Sequence, residues 1–148
     1  MPNTPNTAAS AQVETIRSAV KFFRVTSYIT GIALLLVLIL WGSRRGLGLE
    51  LWAFGPNGFV SAEPFFEDKT LMPQSGISLT MAILIVHGWL YVAYLFGDFR
   101  LWTLLRWSFG RFLLIAAGGV VPFLSFFTER RFTKIAHAEL AELESKGI

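Results

Sequence analysis

Five side chains within one apolar stretch have types and spacing suited to joint chemistry. Thr80, His87, Tyr91, Tyr94 and Asp98 fall on one narrow stripe when wound at about 100° per residue, with Leu84 the apolar member of the series. A stripe of hydroxyl, imidazole, two phenols and a terminal carboxylate avoids lipid. It faces other helices, a partner subunit or a water-filled path. Three uses compete. The groups can be interhelical hydrogen-bonding glue, at about 0.6 kcal/mol for a typical bond in a membrane bundle. They can pack against a partner in a larger membrane complex. They can line a proton or solute path with His87 as the titrating group, histidine having the unperturbed pKa nearest neutrality. No carboxylate stands beside His87, and Asp98 is about three turns away.

The elements that must hold this stripe carry matching faces. Arg111, Ile115, Gly118, Pro122 and Ser125 align on a later apolar stretch. There Gly118 and Gly119 permit close backbone approach and Pro122 can kink the helix. Ser27 and Gly31 form a small-xxx-small pair in an earlier one. Helix packing is the plain use of all of these. His87 and Tyr91 are expected to face Gly118 and the side bearing Ser27 and Gly31. Arg111 either pairs with Asp98 across a short linker or snorkels to the headgroups.

These stretches imply a membrane. The 148 residues are 53% hydrophobic and only 16% charged, with 14 Phe and 5 Trp, and mean hydropathy is +0.54. Soluble domains carry roughly 25% charged residues, so this chain lacks the polar surface to cover a globule. Three stretches, about 22–41, 77–96 and 107–127, approach the roughly 20 residues that a 30 Å hydrocarbon core needs. The expected fold is an all-α membrane protein, a bundle of three transmembrane helices. An interfacial N-terminal helix begins near Val13, with Ile16, Val20 and Phe23 at helical steps. Residues 1–12 are polar and read as a disordered tail, 13–131 as the membrane domain and 132–148 as a polar C-terminal helix or tail. The connection 42–75 is long; its turn signal Gly55, Pro56, Asn57, Gly58 lies between apolar flanks at 47–54 and 59–66. A re-entrant or interface-lying segment fits there, each flank being too short to span. A cleaved signal peptide is the rival for the first stretch, but no small-x-small site follows Trp41.

Cations flank the spans, and Arg111, Glu129, Arg130 and Arg131 mark the interface. Six lie near each membrane face, so the positive-inside count is a tie, and the first helix favours a cytoplasmic N-terminus. The net charge of +3 therefore reflects membrane flanks, and no nucleic-acid partner is expected. The lack of cysteine removes disulfides and thiolate chemistry. No metalloprotease, P-loop, nucleophile-elbow or dinucleotide motif occurs, and no catalytic residue, metal or cofactor is expected.

His87, Gly88, Trp89, Leu90 and Tyr91 followed by Tyr94 resemble a known pattern. So do Arg106, Gly110 with Arg111, and Pro122, Phe123, Leu124, Ser125 and Phe126 followed by Glu129, Arg130 and Arg131. Together, across about 22–131, they resemble a family of small actinobacterial integral membrane proteins, domain of unknown function 3817. The resemblance implies a multi-pass fold and a plasma-membrane address, and it carries no activity. The 42–75 connection is longer than is usual for that family. Three short spans enclose too little volume for a monomeric carrier, which relies on paired repeats. The expected function is a non-catalytic accessory or interaction subunit, with the lipid bilayer and a membrane-protein partner or second copy as its contacts. The alternative is an oligomeric small-solute or proton channel or carrier using the His87, Tyr91 and Tyr94 stripe.

Overall fold

The apolar run after Val25 is the inside of a much longer helix. In the computed structural model, which describes residues 4–55, 57–68, 71, 73, 75–121 and 123–145, α1 spans Thr4–Gly46 without a break. The interfacial helix and the first span are thus one element, because no Gly or Pro separates them. Segment 4–12, expected as a disordered tail, is its first turns. Pro5 sits where a helix has no N–H bond to lose, and alanines follow it. Thr15 and Thr26 return their hydroxyls to Ala11 O and Phe22 O, at 2.8 Å and 2.9 Å. Hydroxyls are thereby satisfied within the helix itself.

The second expected span is α2, Leu79–Leu105. Ser10–Gly46 and Leu79–Leu105 are the two described helices long and apolar enough to cross a membrane. Only 11% of the apolar window of α2 is buried within the chain, which separates it from the core helix of a soluble protein.

The third expected span is not one helix. α3 covers Phe109–Gly118 and α4 covers Leu124–Ser145. Ten residues rise only about 15 Å, half of a hydrocarbon core. The chain turns at Gly119, which has φ −78° and ψ −7°, and restarts after Phe123 at φ 68°. Pro122 lies outside the described residues. The polar tail expected from 132 onward has no separate start, since α4 runs straight through that point.

The chain divides into two compact units, Met1–Gly31 with Leu90–Ile148, and Ile32–Trp89. The first is helical. Ile16, Ala19, Val20 and Phe23 from α1 pack with Tyr94 and Leu101 of α2, Ile115 of α3, and Phe132, Ala136 and Leu140 of α4. The Phe23 ring stacks on Tyr94 at 5.6 Å between centroids, and Trp107 meets Phe132 at 5.7 Å.

The second unit corrects the all-α expectation, because it holds a three-stranded antiparallel sheet. β1 (Leu49–Gly55) pairs with β2 (Gly58–Pro64) from Leu49↔Pro64 to Gly55↔Gly58. β3 (Ile77–Ser78) pairs along the other edge of β1. The segment expected to re-enter the membrane or lie at its interface is folded as a hairpin. Flanks too short to span satisfy their backbone by pairing across the turn at 55–58. Phe54 and Phe59 make an edge-to-face pair at 4.7 Å near its tip. Gly76, at φ 99°, is needed where the chain returns: a Cβ there would come within 2.9 Å of Ala53 O. Arg44 lies 3.7 Å over the Phe65 ring and 4.0 Å from the buried Glu50 carboxylate, which also accepts from Ser78 Oγ.

Candidate functional site

The interior of the first unit is built around the end of a helix. The last four carbonyls of any α-helix lack intrahelical donors, and buried ones need donors from elsewhere in the protein. In α3 these belong to Ile115, Ala116, Ala117 and Gly118. Gly119 N–H donates to Ala116 O at 3.2 Å, and Val121 N–H donates to Ala117 O at 2.9 Å. The Ile115 carbonyl is reached from α2, where Tyr94 Oη donates to it. Tyr91 Oη donates to Ala116 O at 3.1 Å. Two phenols one helical turn apart thus cap the broken end of α3.

The glycines expected to pack helices explain why this cap fits. Gly118 and Gly119 are both buried. A Cβ on Gly119 would collide with the Tyr91 ring and come within 3.1 Å of Tyr94 Cδ1. The Tyr91 and Tyr94 rings lie stacked with centroids 6.2 Å apart. On α1, Ser27 and Gly31 are buried as well. Between them Thr30, which the sequence did not single out, donates to Leu90 O at 3.1 Å.

Tyr94 and Asp98 are fully buried in the first unit and Tyr91 is half-buried. Thr80 and His87, in the second unit, are also buried. Neither carboxylate oxygen of Asp98 has a hydrogen-bond partner among the described residues. The expected pairing of Asp98 with Arg111 is not formed. Arg111 instead lies 3.5 Å from Glu139, which also accepts from Trp107 Nε1 at 2.8 Å. Asp98 is buried while Arg111 is exposed, and α4 offers the guanidinium a partly exposed acid, Glu139.

The residues marked as interfacial separate. Arg111, Arg130 and Arg131 are exposed. Glu129 is 3% exposed, takes Arg24 Nε at 3.3 Å and accepts from Thr133 Oγ1 at 3.3 Å. The only sign of that pair in the sequence is an arginine in the helical repeat preceding the first span. A cleft of about 400 Å³ opens beside it. Pro122 and the Ser125 side chain lie outside what is described. Among the described residues, no group of three or more His, Asp or Glu could hold a metal ion.

The chain belongs to the family described as Domain of unknown function (DUF3817), whose model matches residues 20–134. The match takes in the tyrosine cap, the break after α3 and the pairing of Arg24 with Glu129. No curated protein and no solved structure matches the chain.

Proposed function

From that family and this geometry, we propose that the chain is a multi-pass protein of the plasma membrane acting as a non-catalytic interaction subunit of a membrane assembly. Its N-terminus is cytoplasmic. The crossings are made by α1, by α2 and by α3 continued into the start of α4, a broken helix of the kind lipid tolerates when protein satisfies its ends. The exposed apolar surface of α2, including Met81, Ile85, Trp89, Val92 and Phe96, faces acyl chains.

The observation that carries the interaction role is the edge strand β2. The sheet order is β2-β1-β3, so among the described residues one side of β2 has no strand beside it. Phe59 and Val60 on it are 73% and 54% exposed, and Phe54 across the turn is 62% exposed. Free edges with exposed aromatics are templates for another chain. The tyrosines are already used within the first unit and leave little for a partner. The test is purification in mild detergent of the wild-type chain and of the pair Phe54→Ser with Phe59→Ser. A stoichiometric companion held by the wild type and lost by the variant supports the reading. A wild-type chain that runs alone, or a companion that survives in the variant, sinks it.

One observation favours a second reading, an oligomeric proton or small-solute conductor. Asp98 is a buried carboxyl on the same stripe as Tyr91 and Tyr94, and ionisable groups inside spans mark conduction paths. Reconstituted protein alone would then pass protons or solute, with flux abolished by His87→Ala or Asp98→Asn. Unchanged flux in both removes the stripe from any such role.

A further inference from the structure

On α1 and α4 the exposed surface changes from apolar to basic at the same level. On α1, Val25, Ile29 and Ile32 are exposed, and Arg24 directly precedes them. Phe123, just before α4, and Phe127 on it are exposed, and Arg130 follows within a turn. Two contacts fix the register of these helices within the first unit. Tyr28 meets Phe126 at 6.0 Å between ring centroids, and Arg24 meets Glu129 at 3.3 Å. The chain therefore runs from basic to apolar on α1 and from apolar to basic on α4. The two transitions coincide, as they must where a bilayer surface crosses both helices.

The cleft of about 400 Å³ opens at that level. It is lined by Arg24 and Tyr28 from α1 and by Glu129, Arg130, Lys134 and His137 from α4. Arg130, Lys134 and His137 follow one another at helical spacing and are all exposed. Three permanent cations face one carboxylate, and that carboxylate is buried under Arg24. Thr133, which also lines the cleft, donates to that carboxylate, and Glu129 holds the Arg24 guanidinium at the cleft wall. Arginine forks match phosphate oxygens, and lysine adds a mobile point charge.

We propose that this cleft binds the phosphate of an anionic phospholipid headgroup, its acyl chains lying on the exposed Val25, Ile29, Phe123 and Phe127 surface. Phosphate oxygens bridge Arg24, Arg130 and Lys134, and the Tyr28 phenol stands at the glycerol level. The site rests on the membrane reading above, and not on the interaction role.

The test uses the full chain in bilayer nanodiscs of phosphatidylcholine containing a minority of phosphatidylglycerol. Retained lipid is counted by native mass spectrometry after release into mild detergent. The wild type should keep phosphatidylglycerol in preference to phosphatidylcholine. Arg130→Ala with Lys134→Ala, both exposed and outside the packed core, should weaken that preference by about fivefold per cation removed. Arg45→Ala, on the second unit, should leave it unchanged. Glu129→Gln should weaken it less than the double variant while keeping the fold. Equal retention of the two lipids by an embedded wild-type chain overturns the site and leaves the membrane reading standing. Displacement of the lipid by millimolar inorganic phosphate assigns the cleft to a soluble anion and overturns the lipid. A chain that alkaline washing strips from membranes overturns both.

Discussion

Residues 25–41 and 107–127 are similar stretches of apolar sequence with different structures. The first is the interior of an unbroken helix, and its two threonine hydroxyls return to their own backbone or reach Leu90 O. The second breaks after ten residues and leaves carbonyls that a separate helix caps with two phenols. Both are rich in apolar residues; what differs for the backbone is where glycine falls. In the first, Gly31 sits alone within a run of helix formers. In the second, Gly118 and Gly119 stand together, close before Pro122. A buried helix break needs donors, and the spacing of Tyr91 and Tyr94 supplies them.

The contrast can be broken most strongly at Gly119. Gly119→Val drives a side chain into the Tyr91 ring and should destabilise the first unit by about 3 kcal/mol. Unfolding followed by tryptophan fluorescence in mixed detergent would measure this. Adding Tyr91→Ala should recover part of the loss, and a strictly additive double variant would show that the two do not touch. Tyr94→Phe comes next. It leaves the Ile115 carbonyl without its donor and should cost about 1–2 kcal/mol, toward the upper end for hydrogen bonds between membrane helices. Tyr91→Phe, at a half-buried position, should cost less. Thr30→Val tests the unbroken helix and should cost about 0.6 kcal/mol. A loss equal to that of Tyr94→Phe would end the distinction between the two stretches.

The smallest expected effect lies in the hairpin. Asn57 Nδ2 donates to Glu63 at 2.8 Å, and this bond holds the Glu63 carboxyl below its ordinary value of 4.5. A lowered carboxyl pKa stabilises the hairpin above the unfolded value, and the contribution is lost as pH falls through the folded one. Emission from Trp52 should shift slightly as pH is lowered below about 4.5, and Asn57→Ala should reduce the shift.

Much of this architecture can be read from residue order alone, and the remainder has identifiable physical causes. The long apolar helices follow from length and composition, and the inward stripe of α2 follows from its polar spacing. The partners of that stripe do not. Tyr94 reaches a backbone carbonyl, and carbonyls have no residue signature. The hairpin was half visible. Its turn residues announced a reversal, but Phe59 and Val60 are both apolar and blur the alternation that marks a strand. β3 is only two residues long and exists only because β1 is there to pair with. The helical start at 4–12 was hidden by prolines and polar residues, since extension from a packed helix does not require its own apolar face. Arg24 and Glu129 lie 105 positions apart in the numbering, a separation at which one sequence shows nothing.

The chain contains no cysteine, and the hairpin places exposed positions such as Ala62 on a short strand between α1 and α2. A thiol introduced by Ala62→Cys would be the only one in the protein. An impermeant maleimide applied to sealed vesicles would then report which compartment holds the sheet, and with the three crossings proposed above that single label gives the sidedness of the chain.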